Sequence, residues 1–408
     1  MPSPDPKASA FLPYGRQSID ETDIAAVTAV LRGDWLTQGP AVEAFEQAFA
    51  RRVGARHALA CANGTAALHM AVLALGLMPG EAVIVPTITF LATANAARFV
   101  GGVVEFADVD PDTGLMRLED AQAALDRARK RGLTVRAILP VHLAGQPVDM
   151  AGLAELARRE GLVLIEDACH AVGTRLQGDP VGSCQHSAMT VFSFHPVKTI
   201  AAGEGGIVTT NDDDLARRLR LARSHGMSRD PAEMTEDWAF DSDGKLNPWA
   251  YEMAEPGFNY RLSDIHAALV LSQMARLDQF VRRRAELVAR YDAGFAGQPH
   301  LRPVGRVAGS EPGWHLYPLL LEFDRLPGSP SRAAVMTRLR EKGIGTQVHY
   351  IPVHLQPHYQ AQTPGLDLPG ASRWYQRCLS LPLFPAMSDG DADRVIAAVL
   401  ALTANLTD

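Results

Sequence analysis

Between residues 135 and 169 the chain passes through a strand-like block, a helix-like block and a second strand-like block, with short connections between them. VRAILPVH (135–142) is a β-rich apolar run. DMAGLAELARREG (149–161) has apolar residues at helical spacing, with Asp149 as the N-cap and Gly161 as the C-terminal stop. LVLIEDAC (162–169) is apolar again. Such a succession is a βαβ unit, whose strands lie parallel and whose crossover is right-handed. The rhythm occurs earlier as well: HALAC (57–61), a helix from Thr65 to Leu75 that Gly76 stops, AVIVP (82–86), a helix near Ala92 to Phe99, and VVEFADVD (103–110). The fold class this predicts is α/β, with a large, mainly parallel sheet over roughly the first 265 residues.

A chain of 408 residues is too long for one ordinary core, so two domains are expected. The stretch 263–295 predicts one long helix leading out of the first. Beyond it the pattern is α+β: a strand around HLYPLLLEF (315–323), a helix around SRAAVMTRLREKG (331–343) and a final helix from about Asp389. The division expected is therefore 1–265, a large α/β domain, and 266–408, a linking helix with a smaller C-terminal α+β domain. The polar segment 228–251, with DSDG and NP turn signals, predicts a long loop of the kind used as a lid or interface arm.

Composition excludes several functions. Hydrophobic residues at 47% and charged residues at 21% are those of an ordinary soluble enzyme. A net charge of −7 argues against nucleic acid as the main partner, while leaving room for an anionic ligand held by local donors. Cys61, Cys169, Cys184 and Cys378 form no CxxC pair, which predicts a reduced, cytoplasmic chain. No apolar segment suits export or membrane spanning, so no membrane partner is expected.

Ligands of open α/β sheets bind beyond the carboxyl ends of the strands. Four features fall there, and each taken alone has an ordinary structural reading. CANGTAAL (61–68) turns a strand into a helix whose free amides suit a phosphate. Asp167 ends an apolar strand, where a carboxylate needs a partner; His170 follows three residues later. Ser193 and Lys198 lie at and just past the strand MTVFSF, and a lysine shielded from water becomes a Schiff-base nucleophile. Phe90, in VPTITFLATANAA (85–97), is placed to present a ring face. A phosphate cradle, an aspartate, an aromatic ring and a lysine meet the needs of pyridoxal 5′-phosphate, which requires a lysine Schiff base and a carboxylate on its pyridinium nitrogen. No GxxxxGK[ST] precedes Lys198, so a P-loop is excluded. His349, His354 and His358 make a poor zinc set, because Pro352 and Pro357 break any helical register and no acidic or cysteine ligand accompanies them; no metal is expected.

The stretches NGTAAL, PTITFLATANAA, DVDPDTG, PVHLAGQPVDM, IEDACHAVGT, FSFHPVKTIAAGEGG and GFNYRLSDIHAAL give the chain a name by similarity. Over nearly its whole length it resembles the sugar aminotransferases of the DegT/DnrJ/EryC1/StrS family, which have the type I pyridoxal-phosphate-dependent aminotransferase fold. The resemblance implies that Lys198 carries the cofactor as a Schiff base, that Asp167 pairs with the ring nitrogen, and that Phe90 stacks on the ring. It also implies that Gly64, Thr65 and Ser193 hold the phosphate and that His170 lies near the phenolic oxygen. This chain has His170 where many members have Gln, and Asn63 where many have Ser. Asn259 corresponds to a family asparagine that reaches the phosphate from the neighbouring subunit, which implies a homodimer with shared active sites.

At a finer level, LPYGRQSIDETDIAAV, GDWLTQGP and PWAYEMAEPGFNYRLSD look most like the C4 aminotransferases of pseudaminic acid biosynthesis. Those use L-glutamate, releasing 2-oxoglutarate, to aminate UDP-2-acetamido-2,6-dideoxy-β-L-arabino-hex-4-ulose. By that likeness Tyr14, Asp34, Trp35, Leu36, Thr37, His349, Tyr350, Ile351 and Pro352 would line the site of a UDP-linked 4-keto-6-deoxy amino sugar. Perosamine synthases, which use a GDP-sugar, stand next. Related deoxysugar dehydratases replace the Schiff-base lysine by histidine, so Lys198 argues against them, and four scattered cysteines supply no iron–sulfur set. A non-enzymatic ligand-binding protein on this fold is a further alternative, set against an intact catalytic set. Glu204 has no role derivable from the residues.

Overall fold

The computed structural model describes residues 11–402. Its centre is a seven-stranded sheet of β1 (His57–Cys61), β2 (Ala82–Pro86), β3 (Val103–Ala107), β4 (Val135–Ile138), β5 (Val163–Asp167), β6 (Met189–Ser193) and β7 (Gly206–Thr210). The spatial order is β1-β7-β6-β5-β4-β2-β3. Strands β2 to β6 are parallel to their neighbours among themselves, while β7 runs antiparallel to both β1 and β6. The exception has a simple cause: no helix separates β6 from β7, so the chain turns straight back instead of crossing over. That returning loop is pinched shut by Phe194 N–H to Gly205 O (2.8 Å) and Ala202 N–H to Phe194 O (2.8 Å). It carries Lys198.

Helices α1 (Glu21–Leu31), α2 (Pro40–Val53), α3 (Gly64–Leu75), α4 (Leu91–Phe99), α5 (Leu118–Lys130), α6 (Met150–Glu160) and α7 (Asp213–Arg223) accompany the sheet. Alternation along β6 assigns the two faces: Met189 and Val191 belong to one buried apolar cluster, Phe192 and the following Phe194 to another. In the second cluster Phe45 and Phe49 of α2 meet Phe192 and Phe194 edge to face, with centroids 5.0–5.7 Å apart. Each such pair adds about 1 kcal/mol beyond the area buried.

The long helix expected over 263–295 is broken in two, α8 (Asp264–Met274) and α9 (Leu277–Phe295). At the break the chain is held by α1. Asp23 is fully buried and accepts hydrogen bonds from Ser272 Oγ (2.6 Å), Gln273 Nε2 (2.6 Å) and the Arg276 guanidinium, which also pairs with Asp20 at 2.7 Å. The helical apolar periodicity runs through the break, and the clamp sits on the residues beside it.

Beyond α9 a three-stranded antiparallel sheet of Leu301–Pro303, Tyr317–Leu321 and Cys378–Leu381 is flanked by helices Arg332–Glu341, Pro369–Arg377 and Asp389–Leu400. The start of the described chain joins this part: Leu12 N–H donates to Gly343 O at 2.9 Å and Leu12 O accepts from Gly345 N–H at 2.7 Å. One buried apolar cluster runs from Leu12 through the main sheet to Val399. Within 228–251 lie two short 3-10 turns, and the segment is closed at its base by Met227–Ser228 pairing with Glu252–Met253. It exposes Trp238 and Trp249.

Candidate active site

A cleft of about 680 Å³ opens at the carboxyl ends of β5 and β6, and the N-terminus of α3 forms part of its wall. Asn63 caps that helix, its Oδ1 accepting from Ala66 N–H at 2.8 Å. The amides of Gly64 and Thr65, first in the helix, have no intrahelical acceptor to donate to. Two glycines make this approach possible. A Cβ on Gly64 would lie 2.8 Å from Ser193 Cβ, and one on Gly206 would lie 2.4 Å from Asn63 O. The end of the GEGG stretch is thus needed for contact with the helix start, while Gly203 makes its turn at φ +85°.

Asp167 ends β5 and is buried. Its Oδ2 accepts from Thr93 Oγ1 at 2.6 Å, its Oδ1 from the Cys169 amide at 3.1 Å, and Thr93 in turn meets Thr89 Oγ1 at 2.7 Å. Lys198 lines the same cleft, half-buried, and its amine has no hydrogen bond or ion pair among the described residues. Burial pulls that amine below the ordinary lysine value, with Cys169 and Asp167 opposing only in part. Burial and the charge of Asp167 push the Cys169 thiol well above its usual value, so it stays protonated.

The opposite wall is aromatic. His170 Nε2 lies 3.1 Å from Tyr350 Oη, and the His170 and His315 rings are 4.5 Å apart. His349 Nδ1 lies 2.8 Å from Ser380 Oγ, and Tyr14 sits against the His349 ring at 5.5 Å. Burial first, then the Lys198 charge, holds His170 and His315 well below the usual histidine value and His349 down to about 3. These three rings are neutral at physiological pH. Burial also raises Tyr14, and it raises Tyr350 well above the ordinary phenol value.

Of the residues singled out from sequence, Tyr14, Gly64, Thr65, Phe90, Asp167, His170, Ser193, Lys198, His349, Tyr350 and Ile351 all border this one cleft. Phe90 ends no strand: it precedes α4, four residues past β2, and is 57% exposed. Asp34, Trp35, Leu36 and Thr37 are exposed on the α1–α2 connection, where Leu36 O accepts from Asp264 N–H at 3.0 Å; they lie outside the cleft of their own chain. Asn259 is likewise exposed and outside it, and Pro352 is buried behind it. Thr93 and His315 escaped notice, since a threonine inside an alanine-rich helix and a histidine just ahead of an apolar strand carry no sequence signal. Glu204 also borders the cleft. Among the described residues no cluster of His, Cys, Asp and Glu could hold a metal ion, and no helix is long and apolar enough to cross a membrane.

The residues present fit pyridoxal 5′-phosphate. The two glycines keep open a cradle that a Cβ would fill, the buried carboxylate is held by donors, and the lysine amine is uncommitted. Fold and site define a class, the lysine-bearing pyridoxal-phosphate enzymes of aminotransferase fold. The chain belongs to the DegT/DnrJ/EryC1/StrS aminotransferase family, whose model matches residues 17–400. It is 40% identical over 397 residues to the spore coat polysaccharide biosynthesis protein SpsC of Bacillus subtilis, covering 96% of this chain and 97% of that protein. Among solved structures it matches Helicobacter pylori PseC, an aminotransferase involved in pseudaminic acid biosynthesis, with TM-score 0.85 and 28% identity over 96% of this chain and 99% of PseC. It also matches the sugar aminotransferase Spr1654 of Streptococcus pneumoniae in its PLP form, with TM-score 0.84 and 26% identity over 96% and 98% of the two chains. The cofactor is therefore pyridoxal 5′-phosphate and the activity that of a sugar aminotransferase.

Proposed function

We propose that the protein transfers the amino group of L-glutamate to C4 of a nucleotide-linked 4-keto-6-deoxy sugar. The substrate that fits the resemblance best is UDP-2-acetamido-2,6-dideoxy-β-L-arabino-hex-4-ulose, giving UDP-4-amino-4,6-dideoxy-N-acetyl-β-L-altrosamine in pseudaminic acid biosynthesis. The likeness to PseC favours it. The likeness to SpsC, a spore coat polysaccharide biosynthesis protein, points to polysaccharide synthesis more broadly, and another nucleotide 4-keto sugar, such as the GDP-sugar of perosamine synthases, is the alternative.

The observation that carries the reading is Lys198, an amine without partner in a cleft that also holds the buried Asp167 and the free helix end at Gly64. When bound, the cofactor supplies an electron sink that lets a proton leave the carbon bearing the amino group. The protein's part is to hold and move protons. The Gly64 and Thr65 amides with Ser193 would hold the phosphate, Asp167, oriented by Thr93, would pair with the ring nitrogen, Phe90 would stack on the ring, and His170 would serve its phenolic oxygen. Lys198, its pKa lowered by burial, would hold the cofactor, and its neutral amine would serve as the base that carries the proton on one face. That face sets the configuration of the new amine.

The cleft takes walls from both 1–265 (Asp167, Lys198) and 266–408 (His315, Tyr350), which supports that division with the site at the junction. Exposure of Asn259 and of 34–37 supports a homodimer in which these residues complete the partner's site. The test is amination of UDP- and GDP-linked 4-keto-6-deoxy sugars with L-glutamate, alongside loss of the visible cofactor band on adding glutamate alone. Selective amination of the UDP sugar is expected. Preference for the GDP sugar would overturn the substrate, and a band indifferent to glutamate would overturn the activity.

A further inference from the structure

The HLAG stretch (142–145) has no role in the reading above. In the fold its last three residues form a buried 3-10 turn, Leu143–Gly145, between β4 and α6. Ala144 sits there at φ +60° and ψ +5°, in the left-handed region where a residue with a Cβ is strained. Gly145 follows at φ +98°, and a Cβ on it would lie 2.8 Å from Gly313 O and 3.1 Å from His170 O. The surroundings clamp the turn. Thr174 Oγ1 donates to Gly145 O at 2.8 Å and accepts from Gly313 N–H at 2.9 Å, while His315 N–H donates to Ala144 O at 3.0 Å.

This conformation directs the Ala144 amide at His170 Nδ1, 3.3 Å away. A ring nitrogen that accepts an N–H carries no proton, so neutral His170 holds its hydrogen on Nε2. Nε2 is 3.1 Å from Tyr350 Oη, so the imidazole donates and the phenol accepts. The phenol's own hydrogen has no other partner among the described residues, and Tyr350 lines the cleft. A backbone carbonyl at Ala144's place would reverse the chain: His170 would protonate on Nδ1, and the Tyr350 hydrogen would be consumed inside the protein.

We propose that the Leu143–Gly145 turn is a tautomer lock that, through His170, makes Tyr350 a one-way hydrogen-bond donor to an acceptor oxygen of the bound sugar. His170 is then a positioning residue, and Tyr350 selects a carbonyl or hydroxyl lone pair at that point. The sugar as occupant rests on the function proposed above; the tautomer does not.

The decisive measurement is histidine NMR on the cofactor-loaded protein with nitrogen-15-labelled histidine, the His170 signal being assigned by its loss in His170→Gln. A neutral Nε2–H pattern, unchanged in Tyr350→Phe, is expected. An Nδ1–H pattern, or a tautomer that changes when Tyr350 loses its hydroxyl, would overturn the lock. For the donor role, Tyr350→Phe should raise KM for the 4-keto sugar about three- to tenfold, the size of one neutral hydrogen bond, while the glutamate half-reaction stays within about twofold. His170→Leu should raise the sugar KM by at least as much, and His170→Gln, which keeps an N–H donor, should recover most of the affinity. An unchanged sugar KM in Tyr350→Phe would overturn the donor role. If the unaltered protein aminates no keto sugar, the function proposed above falls, while the tautomer result stands by itself.

Discussion

A lysine at the end of a strand is common; one without an acidic partner in a closed cleft is not. Burial lowers the Lys198 pKa because the charged form loses water that Cys169 and Asp167 do not replace. The sign matters for cofactor capture, which needs the neutral amine. Apo-protein should therefore take up pyridoxal phosphate at a rate that rises with pH and levels off below the ordinary lysine value near 10.5. A plateau reached only above that value, followed by absorbance, would contradict the burial argument. Replacing the amine gives a sharper result: Lys198→Ala should lower turnover by about 10³-fold or more, the scale of a positioned acid–base group, with unfolding midpoint little changed. Lys198 was legible in sequence because its neighbours are small or apolar; Thr93 was not, because nothing in ATANAA says which residue faces Asp167.

At the scale of elements, close approaches decide whether the site exists. Gly206 begins β7 and lets the strand touch the loop that caps α3. Gly206→Ala places a Cβ 2.4 Å from Asn63 O, so the helix start must move away. Cofactor affinity should fall at least about tenfold by equilibrium dialysis, with far-ultraviolet circular dichroism retained. The α8–α9 break makes a different demand. Asp23→Ala leaves Gln273, Ser272 and a partly buried Arg276 without their shared acceptor. It should cost about 2 kcal/mol in urea unfolding, since buried donors of Ser272 and Gln273 lose their acceptor while Arg276 keeps Asp20. A loss under about 1 kcal/mol would mean the clamp adds little at this junction. Strand and helix periodicity were visible in the chain here; the break was not, because the aspartate clamped to it lies 250 residues earlier than Gln273.

At the scale of the whole molecule the informative residues are those outside the cleft. Trp35 (59% exposed), Trp249 (70%) and Tyr251 (47%) are large apolar groups facing solvent in one chain, and exposed Asn259 follows in sequence the arm that carries two of them. Exposure of this kind is costly unless covered. If active sites are shared, mixing inactive Lys198→Ala chains with inactive Asn259→Ala chains should restore about a quarter of the activity, because each mixed dimer then holds one intact site. No recovery after verified subunit exchange would rule sharing out.

By itself the sequence determined the α/β class, the strand ends where a ligand could bind, and the lysine, aspartate and capped helix start that suit the cofactor. Those are local matters: periodicity, caps and residue chemistry act over a few positions. Only the tertiary structure decided that β7 runs against its neighbours, that α8 and α9 part at Arg276, and that His170, His315, His349 and Tyr350 meet on one wall. Each of these depends on contacts between residues far apart in the chain, whose free energies no local pattern records. The hydrogen on His170 is the smallest such case, set by a strained amide 26 residues away.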